Sequence, residues 1–532
     1  MCILLPAIMS MATDRVGAQP RNLDYYLSRM SGYSKNTIRI QPQSKDRYNA
    51  GDTIIFRLPT NSILDLHTLN LRYAGQIIAT NTTVAADATG QTRVSWPRYT
   101  QSVIRRFDIT MGGMQAGLGS LHDYGCLYNI LANHKLPNTR SEVDLSVTDC
   151  TKMVDIRTQP GPATAGAAAP IYDLAPYESN TFRIDHKATG DGASGWKPFT
   201  ISSWLGLASG AFMRFLDTNI LPDIEIRIML APNTILPTNR TGQVKYELAD
   251  VSLTCESISF GDGSYRAMVD ARMSTGEPLL VPFYNWAGYE SSTTSTSFNQ
   301  QFTIGTESLN GLIGTVRPGN YDSQTIPTIG HSTDTNNSYY LPCDGGTDSP
   351  ASATANDIQI PSQMRIGWYH TCLSGERPLK GGGANSYYGT ASNGRPLLTG
   401  KYQFNIDSKM YPQFLADAHD AWHLLKNMYD ANALSLTYGS SISSFDLFTQ
   451  AMWAFCVGLD HHADDSGKDH LISGLNTTGS LIPITHIGMF ATPGAWATNL
   501  LAMCGGSVRP TVFANLTSTL MIYQGRTISV VN

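Results

Sequence analysis

Alternating apolar and polar positions dominate most of the chain. In the segment 223–232, Ile224, Ile226 and Ile228 alternate with charged side chains, so one face of the predicted strand is buried and the other reaches solvent. Comparable strands are predicted at 52–59, 64–75, 103–113, 181–186, 246–260, 278–286, 296–304, 309–318, 363–370, 402–407, 482–490 and 518–531. The pattern therefore predicts an all-β chain whose sheets bury one face.

Helical spacing interrupts this strand pattern at a few places. Apolar residues recur every three or four positions in 121–134, where Leu121, Tyr124 and Tyr128 fall on one side. Two further helices are predicted at 414–429 and 445–459. We expect these short helices to pack against the sheets rather than to bind a ligand.

The strand pattern divides into two halves. A stretch rich in Pro, Gly and Asn lies at 233–243, and the alternation restarts at 246. The 532 residues exceed one typical domain. The sequence therefore predicts an N-terminal arm at 1–47, a first β-sandwich at 48–240 and a second at 241–532, each with about eight strands, as a jelly roll requires.

The loops and the composition point to a protein that makes wide contacts. Long segments without periodicity lie at 136–176 and 319–362, and such loops on β-scaffolds usually serve recognition or assembly. Only 15% of the residues are charged while 42% are hydrophobic. A soluble monomer usually carries about a quarter of its residues as charge. Neutral polar surface of this kind suits large subunit interfaces.

The formal net charge of -5 argues against a surface that binds nucleic acid over its whole extent. A basic segment is nevertheless present near the N-terminus, with only two acidic residues within it. Its seven basic residues are Arg15, Arg21, Arg29, Lys35, Arg39, Lys45 and Arg47. Two interpretations remain open: a solvated arm, or an arm on the inner face of a shell near a genome or membrane.

Eight cysteines are scattered along the chain without a CxxC pair, so neither a disulfide framework nor a zinc ribbon is predicted. Reduced thiols in a chain made in the cytoplasm fit this pattern best. The opening apolar residues lack a basic region before them, and no signal peptide is predicted. Met9 and Met11 are alternative starts.

A polar segment at 460–470 is the one candidate for metal binding, because it holds several side chains that ligate metals. These include His461, His462, Asp464 and Asp465. The spacing matches neither HExxH nor an EF-hand, so a solvated or interface loop is the favoured interpretation. No GxSxG or phosphate-binding glycine loop is present, and no cofactor is predicted.

The order of several segments resembles one protein family. The segments 36–73, 218–236 followed by 246–260, 401–414, and 470–484 are similar in order to the double jelly-roll major capsid proteins of the adenovirus and tailless-phage lineage. The resemblance is greatest to those of polinton-like viruses and virophages. It covers most of 36–531, and it rests on the ordered combination rather than on one motif.

The resemblance implies a structural function. Proteins of this family form homotrimers whose six jelly rolls make a pseudo-hexagonal capsomer in an icosahedral shell. We expect no enzymatic activity, a location in the virion, and partners that include neighbouring capsomers, penton and minor capsid proteins, and a genome or internal membrane contacted by the arm. The alternative from the residues alone is a multi-domain carbohydrate-binding or adhesin protein with β-sandwiches.

Overall fold

The fold is taken from a computed structural model of the chain. It describes residues 33–43, 45–80, 91–97, 99–117, 121–135, 156–159, 171–174, 181–185, 192–209, 214–236, 243–260, 264–276, 278–295, 297–319, 389–390, 396–397, 401–429, 454–459, 474–478, 482–489 and 506–531.

The first half of the chain forms strands β1 to β15. Their bounds are β1 Tyr33–Ile40, β2 Arg47–Asn49, β3 Thr53–Arg57, β4 Ile63–Thr80, β5 Gln91–Ser95, β6 Ile104–Met111, β7 Met114–Gly117, β8 Ile156–Gln159, β9 Ile171–Leu174, β10 Thr181–Asp185, β11 Gly192–Ala193, β12 Lys197–Ile201, β13 Phe215–Asp217, β14 Ile224–Leu230 and β15 Gln243–Phe260. Helix α1 is Tyr124–Lys135 and follows β7. A short 3-10 turn spans Gly206–Ser209.

The second half forms strands β16 to β26. Their bounds are β16 Leu279–Glu290, β17 Ser297–Thr303, β18 Leu309–Pro318, β19 Gly389–Thr390, β20 Pro396–Leu397, β21 Lys401–Ile406, β22 Lys409–Asp417, β23 Phe455–Gly458, β24 Pro483–Met489, β25 Val508–Tyr523 and β26 Thr527–Val531. Helix α2, Ser264–Met273, lies between the two halves, and α3, Ala418–Tyr429, follows β22.

Each half is a sandwich of two antiparallel sheets with the same strand order. In the first half, one sheet runs β1-β15-β4 and the other β3-β14-β6-β7. In the second half, the corresponding sheets run β16-β25-β18-β23 and β17-β24-β21-β22. In the first half the first strand, β1, pairs with the last, β15. In the second half the first strand, β16, pairs with β25, and the C-terminal strand β26 adds to β25. Pairing of the opening strand with the closing strand is the connectivity of a jelly roll. The prediction of two tandem jelly rolls in an all-β chain is confirmed.

The predicted strand at 246–260 differs from expectation in its partners. It was expected to begin the second sandwich, but β15 pairs with β1, β2 and β4 of the first. The outward-inward alternation of a strand identifies its faces and carries no information about which sheet it joins. The strand pairing therefore places 243–260 with the first jelly roll.

Two predicted helices differ from the structure. Residues 414–417 continue strand β22, and the helix begins at Ala418, where Asp417 accepts hydrogen bonds from the backbone N–H groups of His419 and Asp420. This is the arrangement of an N-cap. Residues 455–458, expected to be helical, form β23, whose apolar run is buried in the sheet. The rest of that segment, 445–453, and the strand expected at 363–370 lie outside the described residues.

Each sandwich has an aromatic interior. In the first jelly roll, Trp96 stacks on Phe199 with ring centroids 4.7 Å apart, and Tyr73 stacks on the same phenylalanine at 5.7 Å. In the second, Phe404 and Phe455 lie 6.0 Å apart at the centre of the core. Large rings buried between two sheets supply much of the hydrophobic stabilisation of such folds.

Candidate functional site

A buried ion pair joins the two jelly rolls. Asp123 lies just before α1 in the first roll, and Arg317 lies near the end of β18 in the second. Arg317 Nη1 donates to Asp123 Oδ2 at 3.0 Å, and the two side chains are 2% and 7% exposed. Because a buried charge must be paired to be tolerated, this contact fixes the position of α1 against the second roll.

Three more charged side chains surround this pair. Arg509 Nη1 in β25 lies 3.2 Å from Glu290 Oε1 at the end of β16. Glu290 also hydrogen-bonds to Asp123, and Arg105 from β6 contributes positive charge beside Asp123. Two carboxyl groups and three guanidinium groups therefore meet where the two rolls join. We call this group of five side chains the junction cluster.

The surroundings in the junction cluster shift the pKa values of its two carboxyl groups in opposite directions. Burial acts to raise the pKa of Asp123, but the charge and hydrogen bond of Arg317, with the charge of Arg105, outweigh it and hold that pKa below its ordinary value. Burial and the negative charge of Asp123 raise the pKa of Glu290. When the pH falls, Glu290 is therefore protonated before Asp123.

In the second roll, the outer face of the β16-β25-β18-β23 sheet is covered beside the junction cluster. Gly288 on β16 and Phe513 on β25 are paired neighbours on that face. A Cβ atom at Gly288 would lie 3.4 Å from Leu121 Cδ1 of the first roll. Phe513 and its other paired neighbour, Ile313 on β18, are fully buried although they point away from the sandwich core. Around Gly288, Phe513 and Ile313 this sheet is therefore buried on both faces.

The corresponding outer face of the first roll is basic and is open over much of its extent, although the outward residues Ile63, Asp65 and Ile258 at one end are buried. Outward-facing positions on β1, β2, β4 and β15 carry five exposed cationic side chains: Lys35, Arg39, Arg47, Arg72 and Lys245. Two of these make ion pairs within the face, Lys35 with Glu256 and Arg47 with Glu247. The Arg47 guanidinium also lies over the ring of Trp196, 5.6 Å from its centroid, and 39% of Trp196 is exposed. We call these residues the basic face.

The seven residues of the predicted basic arm fall into two groups: three lie outside the described residues, and four are placed by the structure. Arg15, Arg21 and Arg29 lie outside the described residues. Lys35 and Arg39 lie on β1, which pairs with β15, so these residues belong to the sheet and not to an extended arm. Lys45 pairs with Asp52 at 3.1 Å, and Arg47 lies on β2. The four described residues therefore lie on the first jelly roll itself.

The candidate metal segment lies outside the described residues, including His461, His462, Asp464 and Asp465. Within the part of the chain that is described, no group of three or more His, Cys, Asp or Glu side chains is placed to hold a metal ion. Three described cysteines, Cys126, Cys255 and Cys456, are buried free thiols. Burial raises the pKa of the Cys126 and Cys255 thiols to about 12, so these thiols are unreactive.

In the described residues, no helix is long and apolar enough to cross a lipid bilayer.

A buried titratable residue outside the junction cluster, His486, lies in the core of the second roll. It is fully buried on β24 with its ring 4.3 Å from that of Phe455 and 4.6 Å from that of Phe404. Among the described residues, neither ring nitrogen has a hydrogen-bond partner. Burial lowers its pKa to about 3, so the side chain is neutral at physiological pH.

Sequence patterns do not single out these residues. Asp123, Arg317 and Glu290 lie far apart in the chain, and each is an ordinary charged residue at a strand or helix end. One signal is present in the strand that contains Arg317. Its outward positions include apolar residues such as Ile313, and outward apolar residues indicate that a partner covers this face.

No protein-family model matches the chain, and no curated protein matches it. Solved structures do. The capsid of the virus PBCV-1 matches with a TM-score of 0.51 at 10% identity, covering 95% of this chain and 98% of that one. The major capsid protein of Faustovirus matches with a TM-score of 0.51 at 8% identity, covering 97% and 94%. This chain has the fold of viral major capsid proteins. The Sputnik virophage structure also aligns, at 11% identity and a TM-score of 0.47, covering 97% and 93%.

This fold match gives the junction cluster its context. The aligned regions extend over nearly the whole length of each chain, so the likeness includes both jelly rolls and not one sandwich alone. A contact that fixes one roll against the other is therefore a contact within the unit that these capsid structures share.

Proposed function

We propose that the chain is the major capsid protein of an icosahedral DNA virus and that it forms a pseudo-hexagonal homotrimer. The observation that carries this proposal is the fold match to two viral capsid proteins over 95% and 97% of the chain. Six jelly rolls, two from each of three copies, would form the ring. The function is then geometric, and the free energy of assembly comes from interfaces repeated by symmetry.

The buried junction supports this role. A shell subunit must hold its two sandwiches at one fixed angle, because an error in that angle would be repeated in every copy. The junction cluster and the buried outer face around Gly288 and Phe513 provide such a rigid contact. Packed interiors of this kind resist continuous deformation.

The remaining assignments follow from the same proposal. We assign the first jelly roll to about residues 33–260 and the second to about 279–531, following the strand pairing. The N-terminal basic segment, which includes Arg15, Arg21 and Arg29, contacts the genome or an internal membrane from the inner side of the shell. The protein is made in the host cytoplasm and resides in the virion, where neighbouring capsomers, penton and minor capsid proteins are its partners. It has no catalytic function.

Size-exclusion chromatography with light scattering, followed by negative-stain electron microscopy, tests the proposal. We expect a particle of three times the 57.9 kDa of one chain, with a pseudo-hexagonal outline. A monodisperse monomer at micromolar concentration would contradict it. The matched structures give no support to the alternative of a carbohydrate-binding protein, and a glycan array would test that alternative if the chain were monomeric.

A further inference from the structure

The two jelly rolls carry the same strand-helix unit in two different environments. In the first roll, edge strand β7 leads to α1, and in the second, edge strand β22 leads to α3. Each helix has 12 residues, and each is preceded directly by an aspartate, Asp123 in one roll and Asp417 in the other. The two units are therefore structural counterparts.

The counterparts differ in what covers them. Every residue of α1 from Tyr124 to Ala132 is buried, because this helix lies between its own sandwich and the second roll. On α3, by contrast, His419 and His423 are exposed. The strand before α3 leaves large apolar side chains in solvent: Phe414 is 54% exposed and Leu415 is 53% exposed.

This exposure is concentrated on one element. Of the seven large hydrophobic side chains that are exposed in the described residues, three lie on β22, namely Met410, Phe414 and Leu415. A cluster of this kind on an edge strand is costly in water and typically marks an interaction surface. We call Met410, Phe414, Leu415, Asp417 and Asp420 the β22 patch.

The sheet faces show the complementary difference. The first roll's unit packs on the outer face of the second roll's sheet, where Asp123 pairs with Arg317 and Leu121 packs on Gly288. The equivalent outer face in the first roll is the basic face, which is exposed and includes Trp196, a fourth member of the same set of seven exposed hydrophobic residues. Within one chain, the β22–α3 unit therefore does not pack on the basic face in the way that α1 packs on the outer face of the second roll.

We propose that the β22 patch of one copy docks on the basic face of a second copy, in the manner in which α1 docks on the second roll within the chain. Apolar Phe414 and Leu415 would cover Trp196, as Leu121 covers the outer face at Gly288. Asp417 and Asp420 carry charge opposite to that of Arg47, Arg72 and Lys245. Asp417 would then have the role toward this face that Asp123 has toward Arg317.

The contact uses two different surfaces, so it is heterologous. Heterologous contacts join copies head to tail and give closed rings when the rotation closes. The inference therefore rests on the trimer proposed above and names the two surfaces that form it. It also explains why the basic face is polar whereas its counterpart in the second roll is apolar and buried: only the first has to remain soluble before assembly.

Two variants separate the two surfaces. The double variant Phe414→Glu, Leu415→Glu damages the β22 patch and keeps the basic face, whereas Trp196→Glu does the reverse. Both changes are at exposed side chains, and circular dichroism with a thermal unfolding curve verifies that each variant folds. By light scattering we expect each variant alone at 57.9 kDa and the wild-type chain at three times that mass. Tyr523→Glu, at an exposed side chain outside both surfaces, is the matched control and should remain trimeric.

Mixing the two variants gives the decisive result. One variant retains an intact β22 patch and the other retains an intact basic face, so one good contact can form between them. We expect a 1:1 complex at twice the mass of one chain that grows no further. Variants that remain trimeric alone, or a mixture that stays monomeric, would overturn the pairing of these surfaces while leaving the wild-type trimer intact. A monomeric wild type would instead overturn the trimer itself.

Charge reversal on the basic face tests whether this face binds nucleic acid instead of a second copy of the chain. In the variant Arg47→Glu, Arg72→Glu we expect loss of the trimer. A variant that remains trimeric but loses affinity for duplex DNA in a gel-shift assay would assign the face to nucleic acid and overturn the proposal.

Discussion

The two outer sheet faces of this chain have the same strand order but opposite character. In the second roll, outward positions hold Ile313, Phe513 and Arg317, and all three are buried. The first roll contributes Asp123 to Arg317 and Leu121 beside Gly288 on this face. In the first roll, outward positions on the corresponding strands hold cations such as Arg72 and Lys245, which are exposed. The fold alone does not dictate this difference.

This contrast indicates that the character of the outward-facing residues of a sheet depends on what covers that sheet. Inward positions in both rolls are mostly apolar, because both sandwiches need a core. Outward positions are apolar only where a neighbour is permanently present. Where a partner arrives after folding, the face must first be soluble, and charged residues with an occasional aromatic ring satisfy both requirements.

The largest change in stability should come from removing the buried ion pair between Asp123 and Arg317, which we call the junction pair. Asp123→Ala leaves the buried Arg317 guanidinium without its carboxylate, and loss of one partner of a buried ion pair costs about 3–5 kcal/mol. We expect the free energy of unfolding to fall by that amount in urea titrations. Hydrogen exchange should show the largest loss of protection in α1 and at the end of β18.

An exposed pair of the same chemistry provides the control. Arg266 and Asp270 lie 3.9 Å apart on α2, with side chains 80% and 67% exposed. Asp270→Ala should change stability by less than about 0.5 kcal/mol, because solvent screens such pairs. If both aspartate variants lost the same small amount, the junction pair would not be what holds the rolls together.

Acid should distinguish the interiors of the two rolls. His486 in the second roll has a pKa of about 3 in the fold and about 6.5 when unfolded, so the unfolded chain binds an extra proton between these values. Stability is therefore present above pH 6.5 and declines as the pH falls. Each pH unit below 6.5 costs about 1.4 kcal/mol, so about 2–3 kcal/mol is lost at pH 4.5 from this residue.

The variant His486→Phe isolates this contribution, because its neighbours are aromatic and its ring cannot be charged. We expect the wild type to lose about 2–3 kcal/mol more than the variant between pH 7 and pH 4.5 in urea unfolding. Acid changes at the junction cluster are common to both chains and cancel in the difference. Parallel pH profiles for the two chains would show that His486 is not the acid-sensitive group.

Much of the fold could be predicted from the alternation of apolar and polar residues. The strand Leu309–Pro318 has the predicted bounds, because its boundaries are marked by polar and turn residues. The alternation could not predict strand partners, which is why β15 was expected in the second roll. Nor could helical spacing separate 414–417 from the helix that follows, since exposed Phe414 and Leu415 mimic an apolar helix face.

The site was less predictable than the fold. The basic segment up to Arg47 was visible as a charge run, but the position of Lys35 and Arg39 in a sheet depends on pairing with a strand about 200 residues later. The junction cluster gathers residues from β6, β16, β18, β25 and the start of α1, and no local pattern links them. Long-range contacts of single charged residues leave no periodic signal.

The smallest of these effects should come from adding volume to the two outer faces. Gly288→Leu forces a side chain against Leu121, where even a Cβ atom would be in contact at 3.4 Å, and overpacking of this kind costs about 1–3 kcal/mol. Ala249→Leu adds similar volume to the half-buried outer face of β15, where we expect a change within about 0.5 kcal/mol. Urea unfolding of both, in the Phe414→Glu, Leu415→Glu background so that assembly does not contribute, measures the difference. Equal losses at the two positions would mean that the face at Gly288 is no more tightly covered than the basic face, and the contrast between the two jelly rolls would fail at the atomic level.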